Sequence, residues 1–189
     1  MRNILVVLSG PSGVGKGTIA KEIIRRRADM TLSVSCTTRA PRAGEESGRE
    51  YFFITREAFE KKIADGGFLE YSEHFGNFYG TPKDFVNDCL KNKSVLLEID
   101  VNGGLNVRRA HDGETVLIMI VPPSVEEIRH RLKMRNTESE EQIELRMERI
   151  KYELGKVSEY DYSVVNDDLE TTISEVMRII DEEINKYIK

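Results

Sequence analysis

Five short apolar runs punctuate the chain: Ile4 to Leu8, Thr31 to Val34, Val95 to Ile99, Val116 to Val121 and Tyr162 to Val165. Each has the length of a buried strand, and helical segments separate most of them. The alternation predicts an α/β fold, a mainly parallel five-stranded sheet covered by helices on both faces, with ligand at the carboxyl ends of the strands. From Leu169 onward Ile173, Val176, Ile179, Ile180, Ile184 and Ile188 recur at helical spacing on one stripe. That stripe predicts a final helix packed on the core, and no chemistry is assigned to it.

Between Cys36 and Pro82 the texture changes to basic loops and aromatic-rich short strands, with a hairpin expected at Phe75-Gly76-Asn77-Phe78. Within this inserted β-rich lobe, Thr55 followed by Glu57, Ala58, Phe59, Ile63 and Ala64 predicts a short capped helix that ends at Gly66-Gly67. From Ser124 to about Lys156 the pattern is a charged helical pair broken near Asn136-Thr137, where Thr137 and Glu140 make a capping box. Arg129 and Arg149 read as halves of Glu–Arg pairs on solvated faces, whereas Arg135, at the break, and Arg146 are better placed to reach a ligand.

The first strand runs into Ser9-Gly10-Pro11-Ser12-Gly13-Val14-Gly15-Lys16-Gly17-Thr18, and a helical pattern (Ile19, Ile23, Ile24) follows. Strand, glycine loop and helix form a phosphate cradle: the glycines allow a tight turn, backbone N–H groups face anionic oxygens, and the helix adds its positive end. Lys16 then reaches the outer phosphates of a nucleoside triphosphate. The usual pattern holds from Gly10 to Lys16 and fails at Gly17, where a magnesium-binding hydroxyl is expected. Thr18 is no replacement, because one helical position is a rotation of roughly 100°. A dinucleotide turn requires a third glycine where Thr18 stands, so that alternative is weak.

Two further sets carry candidate chemistry. Arg39 and Arg42, on either side of Pro41, are placed to clamp a second phosphate group. Glu98 and Asp100 close the third strand, and their spacing puts them on one face of it, with Asp100 the candidate for a ribose or for water-mediated contact with magnesium.

With 189 residues, a net charge of -5 and 32% charged residues, the chain reads as one domain without the basic balance of a nucleic-acid binder, so any anion site must be a local cluster. Cys36 and Cys89 read as free thiols in a reducing cytosol, and no apolar run approaches the ~20 residues that span a bilayer. A cytoplasmic protein with no membrane or nucleic-acid partner is expected. His74, His111 and His130 are scattered and suggest no catalytic arrangement.

The ordered series Gly10 to Thr18, Ser35 to Glu45, Glu50-Tyr51-Phe52-Phe53, Phe68-Leu69-Glu70-Tyr71, Gly76-Asn77-Phe78-Tyr79-Gly80-Thr81, Pro122-Pro123-Ser124, Arg135-Asn136-Thr137-Glu138 and Val165-Asn166-Asp167-Asp168-Leu169 resembles guanylate kinase over nearly the whole chain. The resemblance implies a P-loop nucleoside monophosphate kinase fold in three parts: a core (1–34, 82–123 and 157–189), a GMP-binding lobe (35–81) and a helical lid (124–156). It implies ATP and GMP as substrates, with Mg2+ accompanying ATP. ATP would meet Gly10, Pro11, Ser12, Gly13, Val14, Gly15, Lys16, Gly17, Thr18 and Arg131, with Asn166 and Asp167 beside the adenine. GMP would meet Arg39, Arg42, Tyr51 and Tyr79 at its phosphate, Asp100, and Ser35, Glu70 and Thr81 at its base. Lys16, Arg39, Arg42, Arg135 and Arg146 would carry catalysis.

The chemistry agrees with those roles. A carboxylate at Glu70 accepts from both N1–H and the exocyclic amine of guanine, donors that adenine lacks on that edge, while hydroxyls at Ser35 and Thr81 donate to O6. Asn136 and Asn102 depart from the glycine and glutamine of the family. Other readings are a P-loop kinase of another small phosphorylated acceptor and a non-catalytic module that binds phosphopeptides.

Overall fold

The computed structural model describes residues 2–74, 76–111, 113–134 and 139–186, with the backbone alone for 130–134. The chain begins with β1 (Leu5–Ser9), α1 (Lys16–Arg26) and β2 (Met30–Leu32). It then builds β3 (Cys36–Thr37), β4 (Phe52–Phe53), α2 (Arg56–Ala64), β5 (Phe68–His74) and β6 (Asn77–Pro82). The rest alternates again: α3 (Lys83–Leu90), β7 (Ser94–Glu98), α4 (Val101–Ala110), β8 (Thr115–Val121), α5 (Val125–Met134), α6 (Glu140–Leu154), β9 (Tyr162–Val165) and α7 (Leu169–Asn185).

Five strands form one parallel sheet in the order β2-β7-β1-β8-β9. Alternation along the strands divides the core. Val6, Leu8, Leu96, Ile118 and Ile120 face α1 and α7, where Ile19, Ile23, Ile173, Val176 and Ile180 meet them. Leu5, Val7, Leu97, Leu117 and Met119 face the other way, onto Val86, Val101, Leu105 and Val107 of α3 and α4. Both faces are thus buried, which is why these strands read as continuous apolar runs. Leu5 of the central strand pairs with Val95 on one side and Thr115 on the other, so the carboxyl ends of three strands open onto one edge.

The inserted lobe is a second sheet in the order β4-β3-β6-β5. The expected hairpin is present, pairing Tyr71 with Gly80 and His74 with Asn77, so that Asn77 and Phe78 already belong to β6. Thr55 caps α2 by accepting from the Ala58 N–H at 3.2 Å. The helix buries Phe59 completely, stacked on Phe68 and Phe78 at ring distances of 4.4 and 5.2 Å. Helices α5 and α6 close on each other through Ile128, Ile143, Met147 and Ile150.

Three expectations are corrected. The second strand stops at Leu32 rather than Val34, because the chain leaves there for the second sheet, which starts at Cys36. The capping box of α6 is Ser139 with Gln142, not Thr137 with Glu140: Gln142 N–H donates to Ser139 Oγ at 3.3 Å, and Ser139 N–H donates to Gln142 Oε1 at 2.9 Å. Glu98 is the last residue of β7, whereas Asp100 is the N-cap of α4, where its Oδ1 accepts from Gly103 N–H at 2.8 Å. The two acids are therefore not alternate positions of one strand. Asn136, Thr137 and Ile188 lie outside the described residues. Among the described residues, no helix is long and apolar enough to cross a membrane.

Candidate active site

Beyond Ser9 the chain turns through Gly10, Gly13 and Gly15, with φ of 147°, 83° and 102°. Gly10 is forced twice over, since a Cβ there would lie 2.2 Å from the Ile120 carbonyl oxygen. Gly15 is the N-cap of α1, which has no side-chain cap and no acid in its first turn. Its free N–H groups and positive end therefore face the loop, an arrangement suited to an anion. Lys16 Nζ donates to the carbonyls of Gly10 at 2.6 Å and Pro11 at 3.1 Å. Burial holds its pKa below the ordinary lysine value, opposed by the charges of Glu98, Glu153 and Asp100, while Arg149 adds to the depression. A Cβ on Gly17 would stand 3.5 Å from both carboxylate oxygens of Glu98, and Thr18 is exposed.

Across the carboxyl edge of the sheet lies a second group. Arg39 grips both oxygens of Glu45 at 2.9 Å, donates to the Ala40 carbonyl at 2.7 Å, and sits 5.6 Å from the Tyr51 ring. The Arg42 backbone N–H donates to the same Glu45 carboxylate at 2.7 Å, and its side chain is exposed. Tyr51 and Tyr79 meet edge to face at 5.9 Å. Behind them Ser33, Ser35, Tyr51, Thr81 and Glu98 line a small cavity of about 100 Å³. Thr81 Oγ1 donates to Glu70 Oε1 at 2.6 Å in buried surroundings. Burial, with the Asp100 charge adding to it, pushes the Glu70 carboxyl up to about 7 against the hydrogen bonds from Thr81.

Asp100 joins three parts of the molecule. Its carboxylate lies 3.5 Å from His74 Nε2 at the end of β5 and 3.9 Å from Arg149 on α6. Arg149 is held in turn by Glu153, 6% exposed, whose Oε1 accepts from its Nε at 3.0 Å. A phosphate loop, a basic and aromatic recess and a buried acid thus converge on one cleft.

Comparison with known proteins decides the family. The sequence model described as guanylate kinase matches residues 2–183. The chain belongs to the guanylate kinase family. It is 47% identical over 180 residues to a guanylate kinase of Caldanaerobacter subterraneus subsp. tengcongensis, covering 95% of this chain and 87% of that protein. The guanylate kinase of Clostridioides difficile is 45% identical over 186 residues, covering 98% and 90%. Among solved structures, guanylate kinase from Anaplasma phagocytophilum superposes with a TM-score of 0.76 at 34% identity, covering 96% of this chain and 86% of that one.

Within the family fold, the residues singled out from the sequence fall in different places. Ser35, Tyr51 and Thr81 line the recess, Arg39 and Tyr79 adjoin it at Tyr51, Glu70 at Thr81 with Asp100 nearby, Arg42 is exposed, and Gly10 to Thr18 form the loop. Arg146 is partly buried on α6. Asp167 is exposed, whereas Asn166 is buried with its side chain turned toward the loop. The Arg131 side chain and Arg135 lie outside the described residues.

Sequence reasoning missed Glu45, Glu153, His74 and the position of Arg149. Arg149 fits its expectation, a half-exposed guanidinium paired with Glu153 four residues on; what the sequence does not show is that this acid is buried and that the guanidinium also lies 3.9 Å from Asp100. The i,i+4 spacing was visible in the sequence; which face of α6 turns inward was not. Arg129 also fits its expectation, paired with Glu140 at 3.4 Å and with Glu144 on exposed helix surface.

Proposed function

We propose that the chain transfers the γ-phosphoryl group of ATP to GMP, giving ADP and GDP, and that the residues above divide the work between the two nucleotides. The observation that carries this reading is the buried Glu70–Thr81 pair standing opposite a complete phosphate loop. On it, the loop and Lys16 hold the ATP phosphates, while Arg39, Arg42, Tyr51 and Tyr79 hold the GMP phosphate. Glu70 accepts from guanine N1–H and the exocyclic amine, Ser35 donates to O6, and Thr81, whose one hydroxyl proton goes to Glu70 in the free protein, donates to O6 by turning from that carboxylate as the base arrives.

The attacking phosphate oxygen is already ionised near neutral pH, so the reaction requires no general base. The difficulty is charge, since two polyanions must be brought in line. Lys16, Arg39, Arg42, Arg135 and Arg146 answer it electrostatically, with the segment 124–156 closing as a lid and 35–81 as the GMP lobe to exclude water.

Magnesium fits as a cation carried by ATP. Among the described residues, no group of three or more His, Cys, Asp and Glu is gathered to hold a metal by itself, yet Glu98 and Asp100 present hard oxygen donors close to Lys16. Those two would hold it through water, and it would neutralise charge on the transferring group. An acceptor screen with ATP and GMP, AMP, UMP or ribose bisphosphate, read as ADP formed, tests the proposal. Strong preference for GMP is expected. Equal rates would point to another acceptor, and phosphopeptide binding without turnover to a binding module.

A further inference from the structure

The turn between β9 and α7 reaches back to the phosphate loop through one side chain. Asn166 is 8% exposed, and its Nδ2 donates to the Val14 carbonyl at 2.7 Å. A carbonyl can only accept, so the amide orientation is fixed by this contact. On the other side of the amide, the Thr172 hydroxyl lies 3.0 Å from Asn166 Oδ1, and the Asn166 backbone N–H donates to Val121 O at 2.8 Å. Thr172 itself is 1% exposed in the first turn of α7, a helix bolted to α1 by Ile173, Val176 and Ile180 against Ile19 and Ile23. The amide nitrogen is thus tied to the loop, while the Thr172 hydroxyl, whose one proton also has Asp168 O at 2.7 Å and Val165 O at 3.2 Å within reach, lies beside the amide oxygen without being committed to it.

We infer that Asn166 is a positioning residue for the triphosphate: by fixing the Val14 carbonyl it sets the direction of the Gly15 N–H that ATP phosphates meet. The inference rests on the phosphate-loop part of the proposed function. In a planar trans peptide, C=O and N–H point opposite ways. A Val14 carbonyl tied to Asn166 thus turns the Gly15 N–H to the far side of the loop, away from the amide. The same contact accounts for the residue at 15. A Cβ there would lie 2.7 Å from Asn166 Nδ2, and φ at Gly15 is 102°. The side chain thus holds up the loop from beneath.

The deciding measurement is calorimetric titration of ADP and, separately, GMP into the folded protein, with KM for ATP alongside. Asn166→Asp keeps the shape but, ionised at pH 8, offers the Val14 carbonyl no donor. It should weaken ADP binding and raise KM for ATP about tenfold, near the value of one lost hydrogen bond to a charged or preorganised group, with GMP affinity unchanged. If Asn166→Asp does not fold, Asn166→Ala, which removes the donor to Val14 without burying a charge, carries the test. ADP affinity within twofold of the parent in the folded variants, whatever their melting temperatures, overturns the inference. A parent protein that binds no ADP would overturn the proposed function instead.

Discussion

Thr81 Oγ1 lies 2.6 Å from Glu70 Oε1, a hydrogen bond across β5 and β6 that places a carboxylate where burial disfavours its charge. The ordinary value of 4.5 rises to about 7, so the folded protein holds a proton that the unfolded chain has released between those pH values. Stability from this group therefore declines as pH rises from about 4.5 through 7 and is flat above, a loss of up to about 3 kcal/mol.

Glu70→Gln removes that loss. The variant is expected to unfold at higher urea concentration than the parent at pH 8 and at nearly the same concentration at pH 5. Its GMP affinity should fall, because an amide offers one acceptor where two guanine N–H groups need partners. GMP binding to the parent should tighten as pH rises to about 7, beyond the part due to the phosphate of GMP itself, which the variant reports. Equal pH profiles for the two proteins would remove Glu70 from base recognition.

Arg149 and Arg129 make a paired comparison. Arg149 faces Asp100 and the Lys16 region from α6, whereas Arg129 meets only exposed glutamates among the ion pairs described above. Arg149→Ala is expected to lower kcat by about tenfold to a hundredfold, and Arg129→Ala by less than about twofold. Steady-state rates at saturating ATP and GMP distinguish them.

Gly17→Ser tests how the metal is held. The added Cβ meets the Glu98 carboxylate at an ordinary 3.5 Å, and Gly17 has no left-handed φ that would strain it. Serine should raise unfolding stability by about 0.5 kcal/mol through helix propensity. If magnesium is held by phosphates and water near Glu98 and Asp100, kcat should stay within about threefold of the parent. A large gain in magnesium affinity would show that the loop lacks a ligand it needs.

Phe59→Ala empties the space between Phe68 and Phe78 and should cost about 3–5 kcal/mol. The loss falls on the second sheet, so GMP binding should weaken well before ADP binding does. Titration of each ligand at rising urea concentration measures the difference.

The fold was largely legible in the sequence because both faces of the main sheet are covered, which leaves uninterrupted apolar strands such as Val116 to Val121. The hairpin and the Thr55 cap were legible from local turn and cap chemistry. The strand end at Leu32 and the cap at Ser139 depend on where the chain is called next, and short-range pattern is silent on that. The loop declared itself through glycine spacing. Glu153, Glu45 and the Asn166 contact with Val14 bring together distant residues or turn a polar side chain inward, and no periodicity records either.

The grip of Arg39 on both Glu45 oxygens carries a consequence for ligand exchange. In the free protein the guanidinium is not bare: a carboxylate of the protein's own occupies it. If Arg39 holds the acceptor phosphate as proposed, its arrival is a swap of one anion for another, with little new desolvation of the arginine and correspondingly little net gain in affinity. Departure is the reverse swap, with Glu45 waiting three backbone positions from Arg42 to retake the cation. Such a recess is suited to releasing its product as readily as it captures its substrate.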